Sequence, residues 1–142
     1  MEDADFYSEI ADGPPHGAAY WVKTDDNVRL RVGTYGSNKD RKGTILVFLG
    51  RFGYIERYGR VAKEFDKKGF ATVLADWRSQ GLSDRLAKDR QTGHINRFAD
   101  YQSDVKALLG AAEELGLPKP FYLVGVSMGA TIGLRALHEG LP

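Results

Sequence analysis

Apolar positions along the chain alternate between short runs and longer periodic stretches. Residues 19–23 (AYWVK) and 28–35 (VRLRVGTY) flank the polar turn Thr24-Asp25-Asp26-Asn27. In the second run Val28, Leu30 and Val32 share one face and Arg29 and Arg31 the other, which predicts a hairpin with one wet side. After a polar connection over 36–43, residues 44–49 (TILVFL) are apolar on both faces, as a central parallel strand must be. Ile55, Tyr58, Val61, Ala62 and Phe65 then recur at helical spacing, and Lys67-Lys68-Gly69 closes that helix with cations and a glycine cap. Phe70–Ala75 (FATVLA) reads as the next buried strand. Tyr101, Val105, Leu108, Leu109, Ala112 and Leu115 mark a second helix, with Asp100 as its N-cap and Gly116 and Pro118 ending it. Residues 121–126 (FYLVGV) form the last apolar run, and a helix-like stretch starts at Met128. The order β-β-β-α-β-α-β-α predicts an α/β fold, a mostly parallel sheet with helices on both faces.

Composition narrows this little. A chain of 142 residues, 42% hydrophobic and 27% charged, can bury one real core. A net charge of +1 provides no general attraction to nucleic acid, so no nucleic-acid partner is expected. There are no cysteines, which excludes disulfides and thiolate chemistry. Residues 1–18 read as a polar leader ending in Gly13-Pro14-Pro15-His16-Gly17, with 19–142 as part of one domain. The leader lacks the apolar centre of a secretory signal, and no run is long enough for a transmembrane segment. A cytoplasmic location is therefore expected.

The candidate chemistry lies at the last strand-to-helix junction. Gly125-Val126-Ser127-Met128-Gly129 matches G-x-S-x-G, the sharp turn that holds a serine nucleophile above an α/β sheet. Small residues at 125 and 129 let strand and helix approach closely, and amides starting at Met128 would face an oxyanion. The plainer reading is a serine N-cap between two glycines. Leu49-Gly50-Arg51-Phe52-Gly53 follows the first buried parallel strand, where such a fold takes its second oxyanion N–H. Arg51 is the candidate donor, through its amide; the alternative is a glycine turn with a solvated arginine. Asp76 and Arg78, at the end of another strand, read as a pair bracing their loop.

The runs LGRFGYIERYGRVAKEFDKKGFATVLADWRSQGLSDR, GHINRFADYQSDV and FYLVGVSMGA resemble α/β hydrolases of the lysophospholipase and monoacylglycerol lipase type, a serine aminopeptidase-like branch. Leu49-Gly50-Arg51 has the x-Gly-Arg form of the bacterial lysophospholipases, in place of the usual His-Gly. Asp76-Trp77-Arg78-Ser79-Gln80-Gly81-Leu82-Ser83 resembles the family's Asp-x-Arg-Gly-x-Gly-x-Ser, with Ser79 where glycine is usual. The resemblance, from about residue 19 onward, implies the three-layer α/β-hydrolase fold and a serine esterase acting on a small lipid ester. It implies no metal and no cofactor.

One part of the machinery has no candidate. The triad order in this fold is Ser, then Asp or Glu, then His, so both partners should follow Ser127. Only His138 and Glu139 do, and His138 would stand about 15 Å along the helix axis. His16 is in the leader, and His94 lies in a segment that does not carry the base in the resembled enzymes. The catalytic acid and base are therefore expected to be absent from this chain. The reading is the N-terminal half of a longer hydrolase, the fold being cut after the elbow helix, with little turnover by itself. The last strand would then present an apolar, uncharged edge open to a partner chain or to self-association. The alternatives are a non-catalytic binding or assembly module, and a truncated relic. Contact at the periphery of a membrane is compatible with a lipid substrate, although no amphipathic basic helix supports it.

Overall fold

A computed structural model of the chain describes residues 1–37, 40–86 and 97–140. Its strands are β1 (Glu2–Asp3), β2 (Ala18–Lys23), β3 (Arg29–Tyr35), β4 (Gly43–Phe48), β5 (Phe70–Ala75) and β6 (Phe121–Gly125). They form one sheet in the order β1-β2-β3-β5-β4-β6. The β1/β2, β2/β3 and β3/β5 pairs are antiparallel and the β5/β4 and β4/β6 pairs parallel, so β2, β4, β5 and β6 point the same way. This is the mostly parallel α/β sheet expected from the alternating pattern.

The helices are α1 (Ser8–Ala11), α2 (Gly59–Lys67), α3 (Tyr101–Glu114) and α4 (Met128–His138), with 3₁₀ turns at Ile55–Tyr58 and Phe98–Asp100. The two-residue period of the strands separates them into layers. Gly33 and Tyr35 touch Ile55, which leads into α2, whereas Phe48 and Leu123, on the opposite face, pack on α4 at Gly133. On that second face Trp77 stands edge-on to both Phe48 and Tyr101, joining α3 to the sheet. β4 and β5 are buried almost throughout, as two apolar faces require.

Four expectations change. Residues 1–18 do not hang free: Glu2 and Asp3 pair with Trp21 and Tyr20, and Ala11 is buried against Gly59. Phe6 packs edge-on to Tyr35. The segment therefore covers the face of β3 that the alternation marked as wet. Under it Arg31, expected in water, is 1% exposed. Its guanidinium forms a bidentate pair with Glu56 at 2.7 Å and bonds Asp76 at 2.9 Å. The helix expected from Ile55 onward is split into a 3₁₀ turn and α2 at Tyr58, whose backbone (φ −101°, ψ 11°) leaves helical geometry; Gly59 fits closely against the Ala11 backbone, and Val61 ends up facing solvent. Asp100 stands at the N-cap position of α3, as expected, but its side chain makes no capping bond there. It closes the preceding 3₁₀ turn, its carboxylate accepting from the Arg97 N–H at 3.2 Å.

Among the described residues β6 is the last strand of the sheet and is paired on one side. Tyr122 and Val124 share the face that α2 covers farther along, yet are half exposed there. Val126, Leu134 and Leu137 add to this open apolar end.

Candidate active site

Ser127 connects β6 to α4 at φ 51° and ψ −115°. A side-chain-bearing residue in that region is strained, and such strain persists only where the surroundings over-determine it. Contact supplies the constraint. A Cβ on Gly129 would sit 2.0 Å from the Phe48 carbonyl oxygen, and one on Gly125 would sit 2.5 Å from the Ala130 Cα. Only glycines let the strand, the turn and the helix close this tightly. The Val126 N–H donates to the Phe48 carbonyl at 3.0 Å, which ties the turn to the end of β4.

The loop Gly50-Arg51-Phe52-Gly53 lies directly beside this turn. A Cβ on Gly50 would be 3.3 Å from the Val126 carbonyl oxygen and 3.7 Å from the Ser127 Cβ. Several bonds from the 76–83 segment hold the loop. Trp77 Nε1–H donates to the Leu49 carbonyl at 2.9 Å, and Gln80 Oε1 accepts from the Phe52 N–H at 2.5 Å. The buried Asp76 carboxylate accepts from the Ile55 and Leu82 N–H groups, both at 2.9 Å, and from Arg31. Burial pushes this carboxyl above the usual range, and Arg31 with the two amides pulls it back. Among the described residues the backbone N–H groups of Arg51 and Met128 have no acceptor. Two free donors thus flank an exposed serine, an arrangement able to stabilise an oxyanion.

Between them opens a cavity of about 640 Å³ lined by Ser127, Arg51, Met128, Phe52, Phe98 and Tyr101, with Gln80 and Thr131 completing the wall. No histidine and no carboxylate lines it among the described residues. His138 is exposed at the far end of α4, and His16 borders a separate hollow beside Phe6. His94 lies outside the described residues. No described group of three or more His, Cys, Asp or Glu side chains could hold a metal ion.

Asp76 and Arg78 brace, as their position at the strand end suggested. Arg78 is fully buried; its N–H and Nε bond Asp104, both at 2.9 Å, and its two terminal nitrogens reach Asp26 at 2.8 and 3.0 Å. Hydrogen bonds from Arg78 hold the Asp26 carboxyl down to about 2. Burial pushes that of Asp104 up to about 6 against the pull of the same guanidinium. Sequence reasoning missed Gln80. Its position within Asp76–Ser83 was the available signal, but its partner is a backbone amide 28 residues away.

With this geometry in place, comparison with known proteins is decisive. A family model described as serine aminopeptidase, S33, matches residues 39–141. The chain belongs to that family. Among curated relatives, lysophospholipase L2 of Escherichia coli strain K12 is 33% identical over 99 residues, covering 68% of this chain and 29% of that protein. Phospholipase YtpA of Bacillus subtilis is 28% identical over 101 residues, covering 70% and 36%. The chain thus spans about a third of the length of these relatives. The esterase Pf2001 of Pyrococcus furiosus matches with a TM-score of 0.72 at 21% identity, over 97% of this chain and 51% of that one. Est1E of Butyrivibrio proteoclasticus, solved with ferulic acid, matches with a TM-score of 0.70 at 21% identity, over 85% and 48%. These likenesses show the α/β-hydrolase fold. No described helix is long and apolar enough to cross a membrane.

Proposed function

We propose that this chain carries the nucleophile and oxyanion half of a serine esterase site for a small lipid ester, a lysophospholipid or a monoacylglycerol. Ser127 attacks the ester carbonyl, and the Arg51 and Met128 amides receive the oxygen that becomes negative. The alcohol leaves, and water then hydrolyses the acyl-enzyme. The carrying observation is the strained Ser127 backbone, locked by the contacts at Gly125 and Gly129 and flanked by two unpartnered amides. The names of the lysophospholipase and phospholipase relatives favour the lipid ester. No base reaches Ser127 from the described residues, so this chain alone should turn over slowly, with the oxyanion donors and binding providing what rate there is.

A fluorophosphonate probe tests the reading, since oxyanion donors also stabilise attack of a serine on its phosphorus, at a rate that falls when no base is in place. The expected result is stoichiometric labelling at Ser127, slow but complete, and none in Ser127→Ala. Unlabelled, folded wild-type protein would sink it. A second reading is a non-catalytic assembly module, favoured by the open edge of β6 with Tyr122, Val124 and Val126 exposed. A partner chain, or a second copy, would cover that edge. A monodisperse monomer at high concentration, with labelled Ser127, would count against this second reading.

A further inference from the structure

Arg51 contributes more to the cavity than an amide. It is an exposed residue whose guanidinium lies 5.1 Å from the Phe52 ring centroid, the cation resting on the aromatic face. No carboxylate among the described residues pairs with it, in a chain whose other site-proximal arginines, Arg31 and Arg78, are each held by two. Among the described lining residues it is the single charged one, beside the apolar surfaces of Phe52, Phe98 and Met128. Its charge is also felt at the Tyr101 hydroxyl across the cavity, where it opposes the upward push of burial. A cavity lined by one cation that is unpaired among the described residues, by apolar side chains and by a serine is matched by a particular ester. That ester carries both an alkyl chain and an anion.

We infer that the Arg51 guanidinium recognises the phosphate of an anionic lysolipid, making the Ser127 site selective for lysophospholipids over neutral monoacylglycerols. One residue then serves twice, its amide toward the ester oxygen and its side chain toward the phosphate. Arginine suits the second task because its planar fork matches phosphate oxygens in pairs and stays charged at every working pH. The alkyl chain lies against Phe52, which is 61% exposed, and Phe98. The inference rests on the esterase reading of Ser127.

The test is binding, measured by calorimetry on the 142-residue chain, with ether lipids that cannot be hydrolysed. 1-O-octylglycerol 3-phosphate and 1-O-octylglycerol differ only by the phosphate, and both are used below their critical micelle concentrations. The wild type should prefer the phosphate form by about 10- to 100-fold, the value of a charged hydrogen-bonded contact. Arg51→Met keeps the backbone and the apolar stem, and should bring that ratio close to one. Arg51→Lys should restore part of it. Equal wild-type affinities, a ratio that survives Arg51→Met, or no binding of either lipid overturns the inference. Glycerol 3-phosphate and inorganic phosphate form the remaining arms. If either binds as tightly as the octyl phosphate, the site is one for free phosphate and the lysolipid assignment falls. Fluorophosphonate labelling of the wild type is scored separately. Labelling without phosphate selectivity leaves the esterase reading standing alone, and selectivity without labelling leaves a phosphate-binding cavity that is not an esterase.

Discussion

The two ends of the sheet are finished in opposite ways. At the β1-β2-β3 end the chain closes on itself: strands are added antiparallel, the N-terminal segment covers β3, and buried charges meet their partners. Arg31 is satisfied by Glu56, Asp76 and the Asp5 carbonyl. At the β6 end Tyr122, Val124, Val126, Leu134 and Leu137 are exposed. Charge sits inside at the first end, and large apolar side chains sit outside at the second. Buried charge tolerates no missing partner, and at the first end Arg31 finds its partners among Glu56, Asp76 and Asp5. An apolar edge can still be covered by whatever pairs with it. The Ser127 turn stands at the junction, the neighbouring Gly50–Gly53 loop fastened to the closed end and its own strand belonging to the open one.

Removing a buried charge should separate the two ends most sharply. Asp76→Leu leaves the Ile55 and Leu82 amides without acceptors and Arg31 short of one carboxylate. A loss of about 3–5 kcal/mol is expected in urea denaturation, enough to unfold a marginal domain. A change below about 1 kcal/mol would mean that the closed end does not depend on its ion network. Gly129→Ala comes next. Its methyl would meet the Phe48 carbonyl oxygen at 2.0 Å, so a cost of about 1–3 kcal/mol is expected together with loss of fluorophosphonate labelling. Full labelling at the wild-type rate would show that the elbow is not built by that contact.

Acid gives a smaller effect of known sign. The Asp26 carboxyl titrates at about 2 in the folded chain against 3.8 when free, so folding favours its ionised form. The stability it contributes is present above about pH 4 and is lost as pH falls from about 4 toward 2. Asp26→Asn should flatten that part of the melting-temperature profile. Because the side chain is 42% exposed, the contribution is screened and stays under about 1 kcal/mol. An unchanged acid limb in Asp26→Asn would assign the loss elsewhere. At the open edge, Val124→Lys should move stability by no more than about 0.5 kcal/mol while reducing self-association in sedimentation. If association is unaffected, β6 is not the surface through which the chains meet.

Much of the fold was legible because it is written locally. The apolar runs at 44–49 and 70–75 lie within a residue of β4 and β5, and G-x-S-x-G marks the turn to α4. The neighbours of the site were less legible. Gln80 holds the Gly50–Gly53 loop through the Phe52 amide, a contact that no spacing rule reports. Arg31 looked wet because its own strand alternates, and the segment that buries it is far enough away to read as a tail.

The sequence alone therefore determined the order of strands and helices, the glycine-flanked serine and the family, since period and turn chemistry are properties of a few adjacent residues. Tertiary structure decided which charges are buried, which leader residues join the sheet, and that one arginine beside the serine has no counter-charge among the described residues. The buried charges depend on partners 25 to 52 residues apart, such as Glu56 for Arg31 and Asp26 for Arg78, brought within hydrogen-bond reach only when the chain folds. Burial and pairing of charge are properties of the assembled layers, and no single stretch of the chain contains them.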